Sequence, residues 1–281
     1  MRFDAIAFEQ HLARERSLFY ADAAPDAASS ALRDARRLGA PLVQYDEIGS
    51  TNDEALSAAR RGAPHGSVFL AEAQSAGRGR RGRSWSSAPG LDLLVSVVLR
   101  PSLDPATASR LTLAVGLAVR DAAARWLAEP VSIKWPNDVL VMGRKLAGIL
   151  VESQLSGPRL DCVVVGLGVN VLSAEFEPAL ADSATSLALC TPAAGAPALS
   201  REQLLAAILI QLERRLLGFE LSGLSSLLDE LRAHDALLGR QVAVDQTHGV
   251  ARGIDQAGAL VLELSDGQLI RRENGTVRIL A

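Results

Sequence analysis

Short apolar, β-branched runs broken by polar punctuation dominate the middle of this chain. Residues 41–48 (PLVQYDEI), Ser67–Ala73, Leu93–Leu99, Val131–Trp135, Val139–Val141, Leu146–Glu152 and Leu160–Val165 read as strands. Leu93–Leu99 (LLVSVVL) is apolar almost throughout, which predicts a strand buried on both faces. The last four runs are too close together for parallel crossovers, so hairpins and an antiparallel or mixed sheet are expected. Helical segments alternate with them. Ser50-Thr51-Asn52-Asp53-Glu54 opens one that runs through Arg60, with Thr51 and Glu54 fitting a capping box, and Pro64 and Gly66 follow as breakers. Asp104-Pro105 opens another, expected to reach about Ala128 before Pro130 stops it. Residues 172–199 look like loop. Ser200 with Gln203 caps a helix to about Phe219, and a further helix covers Leu224–Leu237. From Gly239 the period switches to two. Five short strands (241–246, 249–255, 259–264, 267–272 and 276–280) are separated by turn signals at Asp255–Gly258, Asp266-Gly267 and Asn274-Gly275. This pattern predicts a small β-barrel. Residues 1–40, rich in Ala and Arg, carry only weak helical periodicity and predict one or two short helices.

Composition narrows the classes. A chain of 281 residues with 48% hydrophobic content can build one large domain with a small satellite, or two medium ones. Its formal net charge of -3 argues against a general nucleic-acid-binding role. No apolar run is long enough to span a bilayer, and the first residues lack a signal-peptide core. Cys162 and Cys190 are the only cysteines, which suggests a reducing cytoplasm and structural thiols. His11, His65, His234 and His248 lack metal-site spacing, and no nucleophile-elbow or Cys/His signature occurs. Covalent catalysis by the protein is therefore disfavoured.

The candidate chemistry lies in five short motifs. GRGRRGRSW, Gly77–Trp85, interleaves glycine with arginine. Glycine admits a polyanion close to the backbone, and guanidinium groups grip its oxygens as multi-donor forks. Empty, such a loop is costly to order, so it reads as a loop that orders on a phosphate ligand, or else as a solvated basic loop. Gly77, Gly79 and Gly82 satisfy the dinucleotide-binding pattern GxGxxG, but SWSSAPG follows where that motif requires a helix. KWPND, Lys134–Asp138, is either a plain hairpin turn or a strand end whose Lys134, Asn137 and Asp138 face a nucleotide or its Mg²⁺. In RKLAGILVE, Arg144–Glu152, Lys145 follows a turn, where most lysines are solvated, while Gly148 leaves room for a ligand or crossing backbone. GLGVN, Gly166–Asn170, ends a buried strand. Helix capping accounts for Thr51 in Ser50-Thr51-Asn52, yet a helix start also suits a small polar head group or a carboxylate.

Taken together, STN (50–52), EAQSAGRGRRGRSW (72–85), KWPND, RKLAGILVE and GLGVN resemble the biotin protein ligase family in order and spacing. Thr185-Ser186-Leu187 and the segment 252–263 (RGIDQAGALVLE) are similar too, so the resemblance covers about residues 41–281. It implies an α+β fold, with a mixed, largely antiparallel sheet flanked by helices as in class II aminoacyl-tRNA synthetases, plus a small C-terminal SH3-like β-barrel. The expected division is an N-terminal extension (1–40), a catalytic biotin/ATP-binding domain (41–237) and the barrel (238–281). The implied activity forms biotinyl-5′-AMP and diphosphate from biotin and MgATP. It then transfers biotin to a lysine of a biotin carboxyl carrier protein, of acetyl-CoA carboxylase or a similar carboxylase. The resemblance makes Lys145 and Arg80 catalytic. It assigns biotin to Ser50, Thr51, Asn52, Gln74, Gly77, Arg78, Gly79, Arg80, Lys145 and Gly148. Nucleotide falls to Arg78, Arg80, Arg83, Trp85, Lys134, Asn137, Asp138, Gly166 and Asn170, with Asp138 the single metal candidate. A cytoplasmic monomer or homodimer that binds no membrane is expected. Bifunctional members carry an N-terminal DNA-binding domain, for which 40 residues are too few, so DNA binding is disfavoured. A lipoate or octanoate ligase and a non-catalytic biotin- or nucleotide-binding regulator are the alternatives.

Overall fold

The computed structural model describes residues 2–20 and 37–280. Seven strands form one sheet in the order β1-β2-β3-β7-β6-β5-β4. They are β1 (Leu42–Ile48), β2 (Val68–Gln74), β3 (Leu93–Leu99), β4 (Val131–Lys134), β5 (Asp138–Val141), β6 (Arg144–Ser156) and β7 (Arg159–Val169). β1 and β2 run parallel because a helix, α2 (Thr51–Arg60), crosses between them. All other neighbours are antiparallel, and tight turns join β4 through β7.

Period-two patterning divides this sheet into two faces. Val68, Leu70, Val97, Leu99, Val163 and Val165 join the main core, beneath α1 (Ala5–Tyr20), α3 (Leu111–Ala123) and α4 (Arg201–Ser222). Phe69, Val98, Cys162 and Val164 point the other way, onto Ala55, Ala58 and Ala59 of α2. α2 is short and covers only part of that second face. The remainder, toward the C-terminal end of β7, stays open and becomes the site.

Several local expectations shift in register. Asp104 caps as expected, with Ala106 N donating to Oδ1 at 2.8 Å. Pro105–Arg110 is nevertheless a 3-10 turn, and α3 spans only Leu111–Ala123 instead of reaching Ala128. The expected helix 224–237 divides into a 3-10 turn, Gly223–Leu227, and a short α5, Leu228–Ala233. The two 3-10 starts contain Pro, Gly or Ser that tighten the first turn, and α3 ends early because Arg125 N and Trp126 N bond three residues back, to Ala122 O and Ala123 O at 3.2 and 3.0 Å. The cap of α2 belongs to Ser50, whose Oγ accepts from Asp53 N at 3.5 Å, and Thr51 is already inside the helix. Capping therefore does not account for Thr51. Of the one or two helices expected in residues 1–40, one, α1, is present among the described residues; 21–36 lie outside them.

The C-terminal strands β8 (Gln241–Val244), β9 (Thr247–Ile254), β10 (Leu260–Glu263), β11 (Leu269–Arg272) and β12 (Val277–Ile279) form an open sheet in the order β11-β10-β9-β8-β12. The expected SH3-like barrel is not formed, because β11 and β12 are the two edges and do not pair. Closure needs strands long enough to tilt and stagger around an axis. β11 has 4 residues and β12 has 3. One hydrophobic cluster runs from the large sheet into this one through Val242, Val244, Ala251, Leu260 and Leu262. Trp135, 1% exposed, donates from Nε1 to the Gly258 carbonyl at 3.0 Å and joins the two sheets. No helix of the described residues is long and apolar enough to cross a membrane.

Between α5 and β8 the chain flanks β4: Ile133 N donates to His234 O at 2.7 Å and Ala236 N to Ile133 O at 2.9 Å. Asp235, between them, accepts from Leu237 N through Oδ1, while its Oδ2 is buried with no partner among the described residues. Burial raises the Asp235 pKa above the ordinary carboxylate range. A raised folded-state pKa gives stability that is complete below the unfolded value and declines as pH rises through the folded one. Asp235→Asn is thus expected to raise the melting temperature relative to wild type at pH 8, by a margin that grows as pH rises from 4. Parallel melting curves for the two proteins across that range would refute the assignment.

Candidate active site

Cross-strand register brings three of the motifs into one row. Lys134 pairs with Asp138, Asp138 with Gly148, Gly148 with Gly168 and Gly168 with Leu94. Two glycines at the centre of this row leave the open face of the sheet as bare backbone. A Cβ on Gly168 would lie 2.3 Å from the Trp85 ring, and one on Gly148 would lie 2.8 Å from it. The indole therefore rests on the glycines. Two residues back along β7, on the same face, Gly166 admits Asn52, whose Oδ1 would stand 2.2 Å from a Cβ there.

Above this floor is a cavity of about 360 Å³, inside the range of small-molecule sites. Its polar end is built at the start of α2. Thr51 N and Oγ1 both donate to Gln74 Oε1, at 2.7 and 3.1 Å. Ser96 Oγ donates to Asn52 Oδ1 at 2.6 Å and lies 2.9 Å from Thr51 Oγ1. Asn52 Nδ2 donates to Glu152 Oε2 at 2.8 Å. Ser50, Thr51 and Asn52 are all buried, so this is a pre-formed polar pocket with locked rotamers.

The opposite end is cationic. Lys145 Nζ pairs with Asp138 Oδ1 at 2.7 Å and lies 5.4 Å above the Trp85 ring. Strict alternation from Gly148 would put Lys145 on the core side, with Ala147 and Ile149. A one-residue register shift between Val139 and Leu140 sets Lys145 opposite Leu140. Leu146 turns into the core as the extra residue, and Lys145 turns to the cavity. Its backbone is gripped by the Ser183–Thr185 segment: Lys145 N donates to Ser183 O at 2.7 Å, and Thr185 N donates back at 2.9 Å. Asn170 Nδ2 donates to the Lys145 and Thr185 carbonyls, at 3.3 and 2.9 Å. Lys134, desolvated at the end of β4, has its pKa pushed down, with nearby Asp138 opposing the shift.

The glycine–arginine loop forms a pinched hairpin over the cavity. Trp85 N donates to Gly77 O at 2.9 Å and Gly79 N to Arg83 O at 2.6 Å, around a single 3-10 turn at Arg80–Gly82. A Cβ on Gly77 would meet Trp85 O at 2.3 Å, so glycine is required at the neck. Four arginines in this hairpin should repel one another, and the structure divides them. Arg78 pairs with Asp53 and with Glu152, the latter at 2.7 Å; Arg81 pairs with Asp245 at 2.6 Å. Arg80 and Arg83 have no carboxylate partner within 4.0 Å among the described residues and line the cavity. Burial, reinforced by Arg81, lowers the Arg80 pKa, with nearby Asp138 opposing the shift, and Arg80 Nη1 donates to Asn137 Oδ1 at 3.4 Å. The floor, the polar pocket and the uncompensated cations together suit a ligand with an uncharged polar head and an anionic tail.

Similarity to known proteins resolves the family. Residues 47–170 match the biotin/lipoate A/B protein ligase family, and residues 237–278 match the biotin protein ligase C-terminal domain. The biotin–[acetyl-CoA-carboxylase] ligase of Mycobacterium tuberculosis is 38% identical over 230 residues, 78% of this chain and 81% of that protein. That of Paracoccus denitrificans is 36% identical, across 79% of this chain and 93% of its own. This chain belongs to the biotin protein ligase family. The crystallised ligase of Aquifex aeolicus in complex with biotin and ATP superposes with a TM-score of 0.73 at 26% identity, covering 86% of this chain and 100% of that one.

For this ligase, every site residue singled out from the sequence lines the cavity except Gly77, which borders a second, more open hollow lined by the loop. Sequence reasoning missed Gly168, Ser96 and Glu152. Gly168 was visible only as part of GLGVN, Ser96 as the one polar residue in LLVSVVL, and Glu152 as the last residue of RKLAGILVE. Phe176, Leu180 and Ala184 also close one wall, from a stretch that gave no signal beyond loop. Gly168→Ala tests the floor. Its backbone lies outside the left-handed region, so alanine is tolerated by the chain and excluded only by the indole. The variant is expected to keep its melting temperature within a few degrees and to change the near-UV circular dichroism as Trp85 is displaced. An unchanged spectrum would remove the indole from that shelf.

Proposed function

We propose that the residues around this cavity divide the two half-reactions of a biotin–protein ligase among them. The enzyme activates biotin with ATP and transfers it to a carrier protein. In the first half-reaction a biotin carboxylate oxygen bonds to the α-phosphorus of ATP, and the bond to pyrophosphate breaks. In the second, a carrier lysine nitrogen bonds to the carbonyl carbon of the mixed anhydride, and AMP leaves. The first step brings two anions together, so charge compensation and positioning carry it.

Lys145 is the group that carries this reading. It is held from both sides of its backbone, aimed into the cavity by a bulge, and able to leave Asp138 for the carboxylate and α-phosphate as they converge. Arg80 and Arg83, still uncompensated, take the phosphates from the loop side, with Arg78 and Gly79 beside them. Ser50, Thr51, Asn52 and Gln74 hold the ureido head group, which offers one acceptor and two donors. Gly148 and Gly166 give the room, and Trp85 and Asn170 bound the nucleotide with Lys134 and Asn137. Mg²⁺ enters with ATP. No cluster of three or more His, Cys, Asp or Glu suited to a metal occurs among the described residues, whereas Asp138 alone fits an ion that keeps its waters and phosphate ligands. When bound, the ion supplies charge neutralisation on the phosphates.

Residues 41–237 form the catalytic part on this reading, 238–281 a C-terminal unit bearing on the loop, and 1–40 an extension. The acceptor is the biotin carboxyl carrier protein of acetyl-CoA carboxylase or a similar carboxylase, met in the cytoplasm.

Pyrophosphate release from MgATP with biotin, and separately with lipoate, followed by addition of a carrier domain, tests the whole. Biotin-dependent release followed by a mass gain on the carrier lysine is expected. Binding without release would make the protein a regulator, and lipoate-dependent release would overturn the substrate. Lys145→Ala is expected to slow adenylation by roughly 10²–10³, the scale of one electrostatic stabiliser, in single-turnover assays; near-normal adenylation would remove it from the chemistry. Arg80→Gly loosens the loop and is expected to release free adenylate, detectable in a filtrate of the enzyme; full retention would count against closure by this loop.

A further inference from the structure

Arg81 is the one arginine of the loop that turns away from the cavity, and its partners lie 164 and 195 residues downstream, in the C-terminal sheet. Its Nη1 donates to Asp245 Oδ1 at 2.6 Å and to Thr276 Oγ1 at 3.2 Å, and its Nη2 to Asp245 Oδ2 at 3.3 Å. Asp245 is itself held in place: Thr276 N donates to Oδ1 at 3.0 Å, and Asp245 N donates to Thr276 O at 3.0 Å. The pairing draws Asp245 below the ordinary carboxylate range and holds Arg81 firmly charged.

Backbone conformation makes this contact more than a chance surface pair. Among the described residues only Arg81, Met142 and Asp245 occupy positive φ without being glycine, and two of the three are these partners, at 56° and 50°. Asp tolerates that region, but arginine gains nothing from it locally. At φ 56° Arg81 forms the tip of the hairpin, with Gly82 following at 73°. That geometry lets Arg80 and Arg83 face the cavity while Arg81 faces the other sheet.

We infer that Asp245 is a positioning residue for adenylate retention: it anchors the tip of the arginine loop to the C-terminal sheet through Arg81, and so holds Arg80 and Arg83 over the bound adenylate. The inference rests on the ligase reading above. It gives the C-terminal sheet a part in the reaction without lending any atom to the cavity. It also explains how four clustered cations close over an anion: Asp53 and Glu152 neutralise one, Asp245 another, and two remain for the ligand.

The test uses the full chain. Asp245→Asn keeps a residue that accepts positive φ and removes the charge; Arg81→Gln removes the other end. The readouts are the biotin-dependent burst of pyrophosphate without carrier, the half-life of adenylate on the enzyme, and the melting temperature. Each variant is expected to keep the burst amplitude and the melting temperature and to shorten the adenylate half-life about two- to fivefold, the scale of a half-exposed ion pair. The double variant should lose no more than either single one, because both remove one contact. Raising salt to about 1 M should bring the wild type toward the variants by screening. Equal half-lives for the wild type and Asp245→Asn, additive losses in the double variant, or a half-life insensitive to salt would overturn the anchor. Absence of a biotin-dependent burst in the wild type would overturn the ligase reading instead.

Discussion

Two facing glycines, Gly148 and Gly168, leave naked backbone in the middle of a sheet whose second face α2 covers only in part. The rest of the site depends on that gap. A side chain at either position would occupy the place where the Trp85 indole lies. Trp85 is also the foot of the arginine loop, through its bond to Gly77. Removing two Cβ atoms therefore sets the depth of the cavity, the resting place of the indole and the anchorage of the loop together. Such a void is tolerated because α2 stops short of this part of the sheet, so a ligand can fill it where a helix would have.

Around this floor, charges are arranged so that repulsion is spent before the ligand arrives. Lys145 leans on Asp138, and Arg78 on Asp53 and Glu152, each partly exposed and each readily exchanged for a stronger anion. Pairs of this kind add little to stability. They keep cations in low-energy rotamers at the cavity edge, which lowers the reorganisation needed when a triphosphate enters. The buried ion pairs lie elsewhere. Glu72 accepts from Arg201 and from Phe3 N, tying α4 and the start of the chain to β2. Glu213 accepts from Arg16 and from Leu38 N, fastening α1 to α4. These contacts stiffen the helical layer behind the sheet, so the site stands on a rigid support.

Much of this arrangement was legible in the order of residues. Uniform apolarity in LLVSVVL predicted a buried strand, and every residue of β3 is buried between β2 and β7. Close spacing of the runs after Val131 predicted hairpins, and β4 to β7 are joined by them. The motif set pointed to the family and to the polar and charged part of the cavity wall, while the apolar wall of Phe176, Leu180 and Ala184 came from a stretch that reads only as loop. The C-terminal barrel failed because alternation shows that strands exist and which face is apolar, and says nothing about whether the first and last strands meet. Thr51 was misread as a cap because Ser50, one residue earlier, competes for the same role, and only backbone geometry decides between them.

The local chemistry of this protein is written in its sequence: which segments extend, where glycine and proline break them, and which side chains can hold an anion. Those are nearest-neighbour properties. What tertiary structure decided is where these pieces meet and which way they point. Periodicity would send Lys145 into the core with Ala147 and Ile149. A single bulge, stabilised because Leu146 is the better residue to bury, reverses it toward the ligand. The row from Lys134 to Gly168 exists only through pairing among four strands. Likewise, Arg81 finds Asp245 only once two sheets share a core, because attraction across 164 residues has no signature in any local window.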